Sequence, residues 1–118
     1  MPNLNAALGL AQMEQLDSFL QNKRKLAEKY RLFFANKDIT LFHEPEHSQS
    51  NYWLNAVLLK NRVERDEFLK FTNENGVMTR PAWRLTHKLP MFEQRFKGNL
   101  PNAEWIEDRL VNIPSSAI

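Results

Sequence analysis

The sequence of 118 residues contains no cysteine and only three glycines. Without cysteine the chain has no disulfide, no thiolate metal ligand and no thiol nucleophile, and this composition fits a reducing compartment. Three scattered glycines are too few for a G-x-G-x-x-G fingerprint or a P-loop, so a phosphate-cradling loop of either kind is excluded. Serine catalysis has no support either, because no serine lies in a G-x-S-x-G elbow.

Long apolar runs and blocks of one charge are also missing. The longest uninterrupted apolar run, residues 6–11, is far shorter than the roughly 18 residues that a membrane-spanning helix needs. No basic leader precedes it, so a secretory signal is not indicated. The formal net charge is only +2 and the longest tract of like charge is Lys23-Arg24-Lys25, which gives nucleic-acid binding little support. We therefore expect a cytoplasmic protein without a membrane or nucleic-acid partner.

Residues 43–47, His-Glu-Pro-Glu-His, match the H-E-x-x-H pattern of zinc proteases. That motif works only when a helix brings both histidines onto one face, and Pro45 disfavours the helical conformation for Glu44. No third ligand is indicated. We interpret the segment as a solvated turn and predict no metal site.

The most informative stretch runs from Pro2 to Phe34 and predicts one long helix. Its first part has almost no polar face: Leu4, Ala6, Ala7, Leu8, Gly9, Leu10, Ala11 and Met13. A helix that is apolar on every side must be buried, so we expect its partner to lie outside these 118 residues. The second part is amphipathic, and the basic stretch Lys23 to Arg31 is interpreted as its solvated face.

The remaining sequence predicts short strands and two further helices. Strands are expected over residues 39–42, 51–59 (a central strand), 77–80 and 111–113, and helices over 62–75 and from Pro101 onward. The strand at 77–80 should end before Pro81, which cannot donate to a ladder. A strand, a helix and a strand at this spacing favour a crossover unit. With 42% hydrophobic and 25% charged residues, the chain is predicted to be one α+β domain with helices packed on a small mixed sheet.

Local signals refine the two later helices. Asn61 and Glu64 have the spacing of a capping box, and Gly76 is placed as a left-handed residue after the helix. Two sets of side chains should face inward: Phe68, Leu69, Phe71 and Thr72 from the first helix, and Trp105, Ile106 and Leu110 from the last. Residues 83–98 lack a clean period and are expected to form a long loop with one helical turn.

The loop over residues 79–90 is the best candidate for a functional site. It presents Arg80, Trp83 and His87 on an irregular segment bracketed by Pro81 and Pro90. Loops held by a scaffold are where binding groups usually lie. The alternative is that Trp83 is a core residue and the loop has no function.

Several segments, in this order, resemble the C-terminal part of the DegT-like pyridoxal phosphate-dependent nucleotide-sugar aminotransferases. They are residues 2–12 (PNLNAALGLAQ), 50–55 (SNYWLN), 65–69 (RDEFL), 76–81 (GVMTRP), 87–92 (HKLPMF) and 110–114 (LVNIP). The Asn-Tyr-Trp-Leu-Asn and Arg-Pro-Ala-Trp versions are similar to the branch that aminates UDP-linked 4-keto-6-deoxy sugars toward bacillosamine or legionaminic acid.

The resemblance implies that residues 1–118 are the small C-terminal domain of a fold-type I aminotransferase whose pyridoxal phosphate-binding large domain is absent. The parent, a homodimer, would transfer an amino group from glutamate to a nucleotide-linked 4-keto-6-deoxy sugar in bacterial cell-surface polysaccharide or glycan biosynthesis. The implied substrate-binding residues are His87 and Arg80, with Trp83 as an apolar wall.

No catalytic residue is expected within the chain, because no lysine has the desolvated or cation-crowded setting that a Schiff-base lysine needs. The isolated chain is therefore expected to be inactive. Two other hypotheses remain open: a stand-alone dimerising interaction module that uses the apolar first helix, and a small nucleic-acid binder that uses the basic face of Lys23 to Arg31.

Overall fold

Four helices and a four-stranded sheet make up the computed structural model, which describes residues 2–117. In chain order the elements are α1 (Asn3–Glu14), α2 (Leu16–Phe34), β1 (Thr40–Leu41), β2 (Asn55–Leu58), α3 (Arg62–Glu74), β3 (Arg80–Pro81), α4 (Pro101–Glu107) and β4 (Leu110–Ile113). Two 3-10 turns, Thr86–Lys88 and Pro90–Phe92, lie between β3 and α4. No helix within residues 2–117 is long and apolar enough to cross a membrane.

The strands lie in the order β1-β2-β4-β3, so the two longest strands are in the centre. Val57 of β2 is opposite Val111 of β4, and Arg80 of β3 is opposite Asn112. The α+β class and the central position of β2 are confirmed. All three ladders are antiparallel where a mixed sheet was predicted, because β4 lies between β2 and β3. The crossover through α3 therefore connects two strands that do not pair with each other.

One face of the sheet forms the core. Val57 and Val111 are completely buried, and Leu59 and Ile113 are nearly so. Against them pack half-buried side chains from the helices and β1: Tyr30, Phe34, Ile39, Leu41, Phe68 and Leu69. Each fully buried aliphatic side chain contributes about 1.5 to 3 kcal/mol of stability, so this layer holds α2 and α3 on the sheet.

The predicted single N-terminal helix is wrong at Gln15. There the backbone is distorted (φ −105°, ψ 0°), and the Gln15 N–H donates to the carbonyl of Gln12, three residues earlier, at 3.2 Å. The break separates a helix that packs on the sheet from one that does not, since α2 carries Tyr30 and Phe34 whereas α1 has no buried residue.

The apolar surface of α1 is open to solvent. Leu4 is 80% exposed, Leu8 62%, Leu10 63% and Met13 67%. Contiguous apolar surface of this kind usually marks an interaction site. Nothing among residues 2–117 covers it, and a partner outside the chain stays a prediction.

Helix α3 begins and ends as predicted. The side chain of Asn61 accepts a hydrogen bond from the Glu64 N–H at 3.0 Å and donates to the Glu64 carboxylate at 3.4 Å. Gly76 follows the helix with φ 77°, a conformation that favours glycine. The prediction that Phe71 faces inward is wrong, because it is 67% exposed. At 100° per residue Phe71 lies roughly a quarter turn from the stripe that contacts the sheet.

Two further boundaries differ from the predictions. Strand β3 includes Pro81, which is tolerated because β3 lies at the edge of the sheet. Trp105 and Ile106 of α4 are exposed rather than inward-facing, and Leu110 belongs to β4. Helix α4 presents carboxylates to the preceding loop, and the Arg109 guanidinium covers the Trp105 ring at 4.6 Å.

The basic stretch of α2 is partly structural. Lys23 Nζ donates to the carbonyls of Ser115 at 2.7 Å and Trp53 at 3.3 Å, and Arg24 donates to the carbonyl of Ser50 at 2.6 Å. The Ser50 N–H, together with Arg24, lowers the pKa of the Glu44 carboxyl that they contact. The interpretation as a solvated face is therefore wrong for Lys23 and Arg24, which fasten α2 to the segments flanking the central strands.

Residues 43–47 do not form a helix. The Ser48 N–H donates to the Pro45 carbonyl at 3.3 Å, which closes a turn, and His47 has φ 62°. The predicted turn is confirmed. Within residues 2–117 no group of three or more histidine, aspartate or glutamate side chains is placed to hold a metal ion.

Glu107 connects α4 to the loop that precedes it. Its carboxylate accepts hydrogen bonds from the Leu85 N–H at 2.9 Å and from Lys88 Nζ, and its carbonyl accepts one from buried Arg65 at 2.5 Å. Burial raises the pKa of Glu107, but the hydrogen bonds from Lys88 and Leu85 outweigh it, so the net pKa is lowered. The ionised carboxylate thus holds residues 85–88 against α4.

We predict that Glu107→Gln destabilises the fold in a pH-dependent way. Charged hydrogen bonds contribute about 1.5 to 3 kcal/mol each. Because the folded pKa of Glu107 lies below its unfolded value, its contribution is fully present above about pH 4.3 and is lost as the pH falls through the folded pKa. Urea unfolding near neutral pH and at about pH 3 should show a difference from wild type only at the higher pH. Glu93→Gln on the exposed loop is the control, and a pH-independent difference would contradict this assignment.

A second prediction concerns α1. The isolated chain should self-associate through Leu8, Leu10 and Met13, and Leu10→Glu should shift it toward monomer at about 0.1 mM, since soluble monomers rarely expose such a patch. Leu32→Glu is the matched control, because Leu32 is equally exposed (63%) but lies near the far end of α2. Sedimentation velocity measures the outcome. A well-folded wild-type monomer at this concentration would contradict the prediction.

Candidate functional site

The segment from Ala82 to Leu100 joins β3 to α4 and is held at both ends. The Ala82 N–H donates to the Leu110 carbonyl at 3.2 Å, and the Glu104 N–H donates to the Leu100 carbonyl at 3.0 Å. In place of the one predicted helical turn it contains two 3-10 turns. The loop is irregular but anchored on both sides to the sheet and α4.

His87 lies in the first of these turns with its side chain 11% exposed. Its Nε2 is buried and has no hydrogen-bond partner among the described residues. The Glu104 carboxylate is 3.5 Å away, at the outer limit for a hydrogen bond and without favourable geometry. Buried polar atoms are nearly always paired, so this nitrogen is an unsatisfied atom whose neighbouring charged group is the Glu104 carboxylate.

A cavity of about 390 Å³ adjoins His87. Its lining combines three basic side chains with apolar ones and contains no carboxylate: Leu85, Thr86, His87, Phe92, Arg95, Phe96, Lys97, Gly98 and Leu100. Ligand pockets are typically about 300 to 1,000 Å³, apolar, with a few placed polar groups. This cavity has the size and composition of a pocket for an anionic organic molecule.

The other two predicted site residues lie apart from His87. Trp83 is 87% exposed, so the alternative that it is a core residue is wrong. Arg80 is exposed on β3, where its guanidinium lies 3.8 Å from the sulfur of Met78. Neither residue lines the cavity beside His87. The structure therefore does not bring the three predicted residues together in one cavity of this chain.

A second cavity of about 420 Å³ lies on the other side of the loop. Four cations line it, but so do two carboxylates: Arg62, Arg65, Arg84, Lys88, Glu107 and Asp108, beside Pro81 and Ala82. Glu107 pairs with Lys88, and Asp66 pairs with Arg65 at 2.6 Å. Three of its cations, Arg62, Arg65 and Lys88, therefore have a carboxylate partner.

Sequence reasoning missed Arg95, Phe96, Lys97 and the two glutamates of α4. The sequence feature that could have identified the loop residues is the tripeptide Arg-Phe-Lys, an aromatic residue between two cations. For the helix it was the spacing of Glu104 and Glu107, since residues three apart lie on the same helical face. That face meets the loop at His87 and Lys88.

The lysine side chains among residues 2–117 are either exposed or hydrogen-bonded to protein groups. A Schiff-base lysine needs a lowered pKa, whereas hydrogen bonding to the Asp38 carboxylate raises the pKa of Lys60. Lys88 pairs with Glu107, and Lys23 donates to two carbonyls. The other lysines are exposed: Lys25, Lys29, Lys37, Lys70 and Lys97.

Comparison of the sequence with known proteins identifies its family. Residues 1–117 match the family model described as the DegT/DnrJ/EryC1/StrS aminotransferase family. GDP-perosamine synthase of Vibrio cholerae is 34% identical over 118 residues, covering 98% of this chain and 32% of that protein. GDP-perosamine synthase of Escherichia coli O157:H7 is 32% identical over 115 residues, covering 98% of this chain and 31% of that protein.

A solved structure shares the fold. That structure is PseC of Helicobacter pylori, an aminotransferase involved in the biosynthesis of pseudoaminic acid; the TM-score is 0.86 at 20% identity, over 94% of this chain and 31% of that chain. The chain spans about a third of the length of the curated relatives that it matches. The match over nearly every residue confirms the resemblance seen in the sequence: this chain belongs to the DegT/DnrJ/EryC1/StrS aminotransferase family.

Proposed function

We propose that this chain is the C-terminal small domain of a pyridoxal phosphate-dependent aminotransferase that aminates a nucleotide-linked 4-keto-6-deoxy sugar. The observation that carries the proposal is the similarity to GDP-perosamine synthase, which includes 98% of this chain and about a third of the relative. In this proposal the cofactor lysine lies in a large domain that precedes these residues, glutamate is the amino donor, and the parent is a cytoplasmic homodimer. The product would enter bacterial surface polysaccharide or glycan biosynthesis.

The contribution of this chain is to bind and orient the sugar nucleotide. His87 lines a cavity without carboxylates, so its imidazole can contact the substrate there, and its Nε2 is buried on the side of Glu104. Glu107 fixes Leu85 and Lys88 on either side of His87 and so fixes the position of the imidazole. Arg80 and Trp83 lie on an exposed surface, and we propose that they reach the substrate only where the large domain completes the site.

The proposal also concerns which nucleotide is linked to the substrate sugar. The names of two relatives favour a GDP-linked substrate, whereas the Asn-Tyr-Trp-Leu-Asn and Arg-Pro-Ala-Trp segments resemble the branch that uses UDP-linked sugars. Competition of GDP-linked and UDP-linked 4-keto-6-deoxy sugars for the purified parent enzyme distinguishes the two branches. Amination of neither sugar would contradict the proposed function.

The second candidate is a dimerising interaction module without catalysis, favoured by the exposed leucines of α1. Both candidate functions predict that two copies of the chain associate through α1. They differ in whether the polypeptide that contains these residues has a pyridoxal phosphate domain, so the nucleotide sequence upstream of codon 1 distinguishes them.

The isolated chain should not bind pyridoxal phosphate covalently, because its lysines are exposed or paired in the described structure. Mixing the chain with the cofactor near neutral pH should give the spectrum of the free cofactor. Borohydride reduction followed by intact-mass measurement gives a second readout. A stoichiometric adduct that disappears on mutation of one particular lysine would contradict the prediction.

In the full-length parent, His87→Asn should preserve the fold and lower turnover, since an amide keeps a hydrogen bond but loses the shape of imidazole. Loss of one charge-assisted contact at Arg80 should cost about 1.5 to 3 kcal/mol, roughly ten- to a hundred-fold in kcat/KM. Melting temperature is measured beside the kinetics. If His87→Asn and Arg80→Lys both retain normal kinetics and stability, the assignment of these two residues is wrong.

The variant Trp83→Ala tests whether Trp83 forms an apolar wall of the substrate-binding site. Truncating a core tryptophan costs about 3 to 5 kcal/mol of stability, but Trp83 is 87% exposed, so the variant should retain its melting temperature and raise KM for the sugar nucleotide. Phe71→Ala, another exposed aromatic residue away from the loop, is the control. Unchanged KM in Trp83→Ala would remove this residue from the site.

A further inference from the structure

Phe96 is the most exposed aromatic side chain of the described chain. It is 99% exposed and lies between Arg95 and Lys97 on the rim of the cavity beside His87. A phenylalanine ring buries a large apolar area when it is covered, so a planar ligand that stacks on Phe96 would be stabilised. Nucleobases are such ligands, and base–aromatic stacking is sequence-tolerant because every base has a π-face.

The two neighbouring cations are also free. Neither Arg95 nor Lys97 has an ion-pair partner among residues 2–117, and the cavity lining contains no carboxylate. The second cavity of the loop differs in this respect, because Glu107 and Asp108 line it. Guanidinium and ammonium groups bind phosphate oxygens, the guanidinium through paired N–H donors. The first cavity therefore holds uncompensated positive charge where an anion can enter.

We propose that this cavity binds the nucleoside diphosphate end of the sugar nucleotide, with the base on Phe96 and the diphosphate at Arg95 and Lys97. The inference rests on the proposed function and names a subsite of it. His87 lines the same cavity, but its Nε2 is buried, so the assignment rests on Phe96, Arg95 and Lys97. Neither the identity of the base nor that of the sugar is needed for these contacts.

Isothermal titration of the purified 118-residue chain tests the subsite with GDP, pyrophosphate and guanosine as probes at low ionic strength. GDP should bind more tightly than either part alone. Phe96→Ala should weaken GDP and guanosine by about tenfold, a typical stacking effect, and leave pyrophosphate unchanged. Arg95→Ala should weaken GDP and pyrophosphate and leave guanosine unchanged. Added salt should weaken the binding of pyrophosphate more than that of guanosine.

Matched controls lie on α3, outside the cavity. Phe71→Ala removes another exposed phenyl ring, and Lys70→Ala removes another exposed cation; both should bind GDP as wild type does. Circular dichroism melts confirm that each variant is folded. A folded wild-type chain that shows no GDP binding at millimolar concentration overturns the assignment, and so does equal binding by wild type, Phe96→Ala and Arg95→Ala.

Kinetics of the full-length parent separate this inference from the proposed function. If the parent transfers the amino group and Phe96→Ala and Arg95→Ala leave KM for the sugar nucleotide unchanged, the subsite is wrong while the function stands. If the isolated chain binds GDP in the expected pattern and the parent transfers no amino group, the function is wrong while the nucleotide site stands. The half-reaction with glutamate should be unaffected in both variants, since the amino donor carries no nucleotide.

Discussion

The pairing of β2 with β4 is the constraint on which the rest of the structure depends. Val57 and Val111 lie opposite each other and are completely buried, although one comes from the middle of the chain and the other from its end. The chain between them leaves β2 through α3, forms the edge strand β3 and returns to β4 through α4. The free energy of burying these side chains offsets the entropy of closing that excursion, which rises only slowly with its length. Because β3 pairs with the other edge of β4, the loop after β3 starts beside β4, the strand to which α4 leads.

The sequence predicted the elements whose causes are local. The cap at Asn61, the left-handed Gly76 and the proline at the start of α4 each act through neighbouring backbone groups, so their positions follow from residue type. The errors lie where tertiary contacts decide. Gln15 carries no breaker signal, yet α1 and α2 separate there because only α2 packs on the sheet. Strand β2 begins later than predicted, since Tyr52 has φ 47° and leaves the extended conformation.

For the candidate site, the sequence located the loop but not the arrangement of its side chains. Trp83 was the most prominent residue by type, yet it points into solvent while Phe96 lies on the cavity rim. Exposure of an aromatic residue on an irregular segment depends on contacts that no periodicity encodes. The pairing of Glu107 with Leu85 and Lys88 could not be predicted either, because it joins α4 to a segment about twenty residues earlier.

Helix α4 explains why the two sides of the loop differ. Glu107 neutralises Lys88 and fixes the segment before Pro90, which fills the second cavity with paired charges. Glu104 of the same helix lies 3.5 Å from His87 of the first cavity, but no carboxylate belongs to the lining itself or pairs with Arg95 or Lys97. A diphosphate is attracted to uncompensated cations and gains little from cations already paired. Glu107 in α4 therefore holds the segment that contains His87, and the diphosphate that we propose would meet cations without ion-pair partners at Arg95 and Lys97.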